Sequence, residues 1–136
     1  MPTAKGGWMR RAHRRRARHD LAGLAVALCE AYLTGELRAV AAVLGPGARL
    51  IVDTGGSPAV EGVPGESFGL DAVTSLSRVL GDADRLALDV CSVNGAPGMR
   101  ARRDGDIIAV VALAGRIGAA SHVWVMANPE KLGDWR

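Results

Sequence analysis

The chain has 136 residues, of which 49% are hydrophobic and only 4% aromatic, enough for one domain with an aliphatic core. It has no run of about 18 apolar residues and no secretory signal pattern, which excludes a transmembrane helix and predicts a cytoplasmic protein that does not act at a membrane. The formal charge of +3 is uneven, because residues 1–20 carry +6 and the remainder is therefore at −3.

The first 19 residues form a basic segment that we predict to be partly disordered or helical, with the domain proper at 20–136. Arginines are concentrated between Arg10 and Arg18. We interpret this segment as a linker or a solvated helix, with weak and sequence-independent contact to nucleic-acid phosphates as the alternative. No motif for specific nucleic-acid recognition is present, so the body is not expected to bind nucleic acid.

Apolar residues recur every three or four positions in three segments, which predicts three helices. The first contains Leu21, Leu24, Leu28 and Tyr32. The sequence does not decide whether this helix begins at Asp20 or continues from the basic segment. The second lies within 37–44 and the third within 71–80. A strand at 48–53 separates the last two helices, followed by a glycine-rich connection at 54–69.

Two dipeptides in the last third, Asn94-Gly95 and Asp104-Gly105, favour tight hairpin turns because Asn, Asp and Gly tolerate positive φ. They predict an antiparallel meander with strands near 85–93, 99–103, 106–113 and 116–127. Helices that precede such a meander indicate an α+β fold, in which three N-terminal helices pack on a strongly curved antiparallel sheet and enclose a cone-shaped pocket.

Two short motifs flank the meander. Asp53-Thr54-Gly55-Gly56 follows the first strand, and Asn128-Pro129-Glu130-Lys131-Leu132 follows the last. In this order, with the two hairpins between them, they resemble the SnoaL-like group of the NTF2-like superfamily. More narrowly, residues 21–132 resemble the C-terminal extension of extracytoplasmic-function (ECF) sigma factors of bacteria, whose glycine motif has one more glycine and whose terminal motif has Asp in place of Glu130.

The resemblance implies a regulatory domain that contacts the sigma factor's other domains or RNA polymerase. On this basis the partner-binding residues are those of the two motifs, listed in full as Asp53, Gly55, Gly56, Asn128, Pro129, Glu130, Lys131 and Leu132. The two promoter-recognising helical domains are absent from this sequence, so it is an isolated extension, a fragment or a free-standing relative. Relatives associate through the open face of the sheet, which implies a homodimer.

Candidate pocket residues follow from strand alternation, which places Arg49, Ile51 and Asp53 on one face of the first strand. Asp53 is a candidate general base, or alternatively an acceptor for the backbone amides of the glycine loop. In the last strand the corresponding set is His122, Trp124 and Met126. His122 is a candidate titrating group in the pocket, or alternatively lies on the outer face or at a sheet edge.

Other polar groups have structural interpretations. Asn128 is expected to close the last strand by a side-chain-to-backbone hydrogen bond, and the alternative role for this motif is a regulatory contact of Glu130 and Lys131 with another domain. Arg100, Arg102 and Arg103 are expected to be solvated, with anion binding as the alternative. Cys29 and Cys91 have no metal or redox spacing and are predicted to be small hydrophobes.

No metal, cofactor or coherent catalytic set is predicted. The sequence therefore favours a non-catalytic regulatory or ligand-binding domain that modulates transcription initiation through protein contacts. The alternative is a small isomerase, cyclase or hydratase that uses Asp53 and His122 on an apolar small molecule in the cone.

Overall fold

The computed structural model describes residues 3–56 and 60–135, and side chains for 10–56, 60–133 and 135. The elements in chain order are α1 (Thr3–Leu33), α2 (Leu37–Leu44), β1 (Arg49–Asp53), β2 (Glu66–Phe68), α3 (Gly69–Leu80), β3 (Leu86–Val93), β4 (Ala96–Arg103), β5 (Asp106–Arg116), β6 (Ala119–Met126), α4 (Pro129–Leu132) and a 3-10 turn at Gly133–Trp135.

The three predicted helices are present and bury the predicted faces. In α1 the face with Leu24 and Leu28 is fully buried, and in α3 the same holds for Leu76 and Leu80. Burying these aliphatic side chains against the sheet is the main driving force that holds the helices in place. None of the helices among the described residues is long and apolar enough to cross a membrane.

The six strands form one curved, open sheet in the order β2-β1-β6-β5-β4-β3. The α+β cone of the predicted fold class is confirmed, but the sheet is mixed rather than wholly antiparallel, because β1 pairs in parallel with β6. The hairpins of the meander leave local signals in the sequence. A parallel pair whose strands are some 70 residues apart leaves none, which is why the parallel pairing was not predicted.

Both hairpin turns have the predicted geometry. Asn94 and Gly95 have φ of 51° and 81°, and Asp104 and Gly105 have φ of 52° and 87°. Two-residue loops with positive φ at both positions match the right-handed twist of the flanking strands. The turns therefore set the register of β3, β4 and β5, with Val93 opposite Ala96 and Arg103 opposite Asp106.

One expectation needs correction. The connection at 54–69 contains the short strand β2, which pairs with β1 and is too short to leave a pattern. The basic segment, predicted to be partly disordered or helical, belongs to α1 from Thr3 onward, while residues 1 and 2 lie outside the described residues. A single helix thus runs from the basic segment into the body, and the Arg18 guanidinium donates to the Gly95 carbonyl at 2.8 Å.

The side of the sheet that faces α1, α2 and α3, the inner face, is filled with aliphatic side chains. Leu50, Val111 and Val123 are fully buried there and belong to one cluster with the helix residues. Because side chains alternate along a strand, the neighbouring residues in β1 and β6 lie on the opposite face. We call that opposite side the outer face, and it carries the strands' polar and aromatic candidates.

Candidate functional site

The outer face contains a cleft of about 530 Å³, the outer cleft, and three of the four predicted pocket residues line it. Ile51 and Asp53 come from β1, and Trp124 and Met126 from β6, where they are direct neighbours across the parallel pair. The remaining wall is mainly apolar and includes Val93 and Asn94 from the β3–β4 hairpin. The cleft therefore lies on the side of the sheet away from the helices, not inside the helix-covered core where the pocket was expected.

Asp53 connects the first motif to the second. One carboxylate oxygen, Oδ1, accepts the backbone N–H of Gly55 at 3.1 Å, and the other, Oδ2, accepts the Lys131 ammonium at 2.8 Å. The backbone carbonyl of Asp53 also accepts the N–H of Ala127 at 2.7 Å, which continues the pairing of β1 with β6 beyond the strand end. The sequence offered two roles for Asp53, a general base or an acceptor for the backbone amides of the glycine loop. The structure contains the hydrogen bond that the second role requires.

The hydrogen bond from Lys131 holds the pKa of the Asp53 carboxyl below its ordinary value, against a smaller opposing effect of partial desolvation. The same bond raises the pKa of the Lys131 ammonium. The side chains of Asp53 and Lys131 are 45% and 57% exposed, so solvent screens the pair and its contribution to stability is small. Its importance lies in position, since it joins residues 78 positions apart.

Asn128 holds the second motif against the first. Its Oδ1 accepts the backbone N–H of Glu130 at 3.1 Å, so Asn128 is the N-cap of α4, which begins with Pro129. The expected side-chain-to-backbone hydrogen bond is present, and it begins a helix beyond the last strand. A Cβ on Gly55 would lie 2.3 Å from the side-chain carbon of Asn128, so only glycine permits this approach.

We call residues Asn128–Trp135 the C-terminal strap. Leu132 fixes it to the outer face, because its side chain is 6% exposed in a cluster with Val93 and Val110. Trp135 packs on the same cluster. The strap thus covers one part of the apolar outer face, and the outer cleft is the neighbouring part that it leaves open.

The structure does not bring Asp53 and His122 together. His122 lies opposite Arg49 in the β1–β6 register, four residues away from the Asp53 position, which corresponds to roughly 13 Å along the strand. His122 instead stacks on Trp124, with ring centroids 5.0 Å apart and an interplanar angle of 8°. It therefore orients the indole that lines the cleft, and an Asp53–His122 acid–base pair is not assembled.

The arginines of the meander bond other parts of the chain. Arg100 makes a two-point contact with Asp89, with nitrogen–oxygen distances of 2.6 and 3.3 Å. Arg103 donates to the backbone carbonyls of Leu80, Asp82 and Asp84, at and just after the C-terminal end of α3. Neither of these two arginines is simply solvated, contrary to expectation, because each has acceptors supplied by elements distant in sequence.

Comparison with known proteins identifies the fold. No family model matches the sequence, and no curated protein matches it. Among solved structures, the ECF sigma factor SigJ of Mycobacterium tuberculosis is similar with a TM-score of 0.55 and 23% identity, over 89% of this chain and 47% of SigJ. This chain thus spans about half the length of SigJ.

Two NTF2-like proteins of unknown function from Burkholderia are similar over almost their whole length. The protein from Burkholderia xenovorans LB400 has a TM-score of 0.55 and 14% identity over 88% of this chain and 95% of its own. The protein from Burkholderia pseudomallei K96243 has a TM-score of 0.53 and 19% identity over 83% and 94%. The chain therefore has an NTF2-like α+β fold that resembles part of SigJ, and identities this low establish the fold alone.

Proposed function

We propose that this chain is a non-catalytic regulatory module, related to the C-terminal domain of ECF sigma factors, that modulates transcription initiation through protein contacts in the bacterial cytoplasm. The partner surface consists of the glycine loop (Asp53–Gly56) and the exposed residues of the strap, Pro129 to Lys131. One observation carries the proposal: the two motifs are separated in sequence and yet form one surface, joined by the Asp53–Lys131 bond and the Gly55–Asn128 contact.

The exposure of these residues supports a role in binding. Gly55, Gly56, Pro129 and Glu130 are all exposed, so their arrangement is not needed to fill a core. Exposed loop residues held in a defined geometry are typical of binding surfaces carried by a rigid scaffold. The structural resemblance to SigJ over 89% of this chain agrees with a sigma-factor context.

The chemistry of Asp53 also favours binding over catalysis. A general base works best when its pKa lies near the operating pH. Here the ammonium of Lys131 shifts the pKa of Asp53 in the opposite direction, below its ordinary value, which weakens the carboxylate as a base. A carboxylate paired in this way is better suited to hold the strap or a partner's cation.

The test is retention of purified partners on immobilised full-length chain. The preys are RNA polymerase core and the two promoter-recognising helical domains of an ECF sigma factor. We expect one of them to be retained, and retention to fall about tenfold or more with Gly55→Ala, because the loop and Asn128 can no longer approach each other. Gly56→Ala is the matched control, since Gly56 also has positive φ but a Cβ there would meet no atom of the residues that the structure describes.

A charge exchange separates the pair's two roles. Lys131→Asp leaves two carboxylates facing each other, whereas Asp53→Lys combined with Lys131→Asp restores an ion pair of reversed direction. Recovery of partner retention in the double variant means that the pair positions the strap. Loss in both means that the partner contacts these charges directly. Failure to retain either prey, or equal retention by the Gly55 and Gly56 variants, would contradict the proposed surface.

A second candidate function is a small isomerase, cyclase or hydratase that acts on an apolar molecule. The observation that favours it is the outer cleft itself, a largely apolar cavity of about 530 Å³ with Asp53 among its lining residues. Its test is turnover of apolar ketone, epoxide or enone substrates by the full chain. Turnover that disappears with Asp53→Asn would favour the enzyme over the regulatory module.

A further inference from the structure

The outer cleft has the size and lining of a small-molecule site. Its volume of about 530 Å³ falls within the usual range of ligand pockets, and aliphatic side chains with one indole form most of its wall. Ile51, Trp124 and Met126 present neighbouring apolar surfaces, and Trp124 remains 41% exposed. A planar apolar molecule would cover this exposed surface.

Asp53 is the only ionisable group among the lining residues that the structure describes. In the structure, Asp53 Oδ2 accepts a hydrogen bond from the Lys131 ammonium at 2.8 Å. Lys131 is not among the residues that line the cleft. Because both side chains are about half exposed, this ion pair is weak, and another cation could replace Lys131 at small cost. The contact with Lys131 thus shows that the Asp53 carboxylate accepts an ammonium, as it would from a ligand in the cleft.

We propose that the outer cleft binds small apolar amines, with the apolar body against Ile51, Trp124 and Met126 and the ammonium on Asp53 in place of Lys131. The indole of Trp124 gives the apolar body a large flat surface to pack on. His122 stacks in parallel on this indole and limits its rotation. The cleft therefore combines one anion with a rigid apolar wall.

This site has a consequence for the strap. An amine that takes Asp53 removes the Lys131 contact, while the burial of Leu132 against Val93 and Val110 is unaffected. The strap is then loosened but not released. By thermodynamic reciprocity, anything that tightens the strap lowers the affinity for the amine. Binding of an amine in the cleft would thus change how tightly the strap is attached, which is a role beyond the proposed partner contacts.

The experiment compares two probes of nearly the same shape, 1-naphthylmethylamine and its neutral analogue 1-naphthalenemethanol, by calorimetric titration of the full chain. We expect the amine to bind about threefold to fivefold more tightly than the alcohol, the scale of a half-exposed ion pair. Asp53→Asn should remove this preference. Lys131→Gln should increase amine affinity by a similar factor and leave alcohol affinity unchanged, because the competing ammonium is gone.

Equal affinities for the two probes, absence of binding, or an amine preference that persists in Asp53→Asn would overturn the proposal. If Asp53→Asn does not fold, the Lys131→Gln arm still decides, since unchanged or weaker amine binding there also overturns it. Hydrogen exchange at the strap is a second readout, expected to speed up with the amine and not with the alcohol. No partner protein takes part, so these results are independent of whether the partner surface proposed above is correct.

Discussion

Gly55 and Gly56 are adjacent and both have positive φ, 60° and 77°, yet among the described residues only Gly55 has a close neighbour that a Cβ would overlap. A Cβ on Gly55 would overlap the Asn128 side chain, whereas a Cβ on Gly56 would meet no atom within the described parts of the chain. Substituting each of these two glycines in turn therefore separates two effects that are usually combined. One is the strain of positive φ in a residue with a Cβ, and the other is the loss of a close approach.

We expect Gly56→Ala to lower the free energy of unfolding by about 1 kcal/mol, from positive φ alone. Gly55→Ala should lower it by a further amount of about 1–3 kcal/mol, because Asn128 must move and its cap on α4 is disturbed. Urea denaturation of both variants measures the difference. Equal losses would mean that the loop does not pack on Asn128.

The Asp53–Lys131 pair makes the attachment of the strap depend on pH. The folded-state pKa of Asp53 is lowered from 3.8, so its contribution is present above that value and is lost as the pH falls through the lowered pKa. The pKa of Lys131 is raised from 10.5, so its contribution is complete below that value and is lost as the pH rises through the raised pKa.

The expected result is a strap that loosens in strong acid and in strong base and is tightest between these limits. Methyl NMR of Leu132, whose buried environment reports on attachment, follows this over the whole range. Asp53→Asn should abolish both transitions, since Lys131 then has no carboxylate to pair with. Transitions that persist unchanged in this variant would assign them to other groups.

At the scale of elements, the C-terminal end of α3 depends on a residue from β4. The last carbonyls of a helix lack partners within the helix, and Arg103 supplies donors to Leu80 and to the two residues Asp82 and Asp84 that follow. A positive charge at this end also complements the helix dipole. The arginine thereby ties the helical layer to the sheet.

Arg103→Gln should therefore destabilise the fold by about 1–2 kcal/mol, because charged hydrogen bonds to three carbonyls are lost. Thermal unfolding followed by circular dichroism measures this. Arg102→Gln is the control, because among the described residues no hydrogen-bond partner is found for Arg102, and its effect should stay within about 0.5 kcal/mol. A similar loss of stability in the two variants would show that removing a positive charge, and not removing the hydrogen bonds to the end of α3, causes the effect.

At the scale of the whole molecule, the outer face leaves a second aromatic side chain exposed besides Trp124. Phe68 in β2 is 57% exposed and lies opposite Arg49, which in turn lies opposite His122. The homodimer expected from the sequence stays a prediction, and this row is the surface on which it would form. An exposed apolar patch on a sheet face is typical of such contacts.

Light scattering with size-exclusion chromatography should give twice the mass of the chain at micromolar concentration. Phe68→Ser combined with Trp124→Ser should shift it to the monomer, and Leu70→Ser is the control, since Leu70 is 75% exposed but belongs to α3 and not to the sheet. Because Trp124 also lines the outer cleft, dimerisation and amine binding should compete. A monomer at all concentrations would contradict the prediction.

Local signals in the sequence were sufficient for most of the fold. The spacing of Leu24 and Leu28 predicted the buried face of α1, and Asn94-Gly95 with Asp104-Gly105 predicted both hairpins. These features were predictable because each depends on residues within one or two turns of the chain, where backbone conformation and periodicity are decided.

Contacts between distant residues were decided by the tertiary structure alone. The parallel pairing of β1 with β6, the side of the sheet on which Asp53 and Trp124 lie, and the bond from Lys131 to Asp53 all depend on how elements pack. The sequence by itself determined the first three helices, β1, the four strands of the meander and the two motifs. Only the packing of the sheet brought the motifs together beside an open cleft, because side-chain alternation defines two faces and burial of the helices chooses between them.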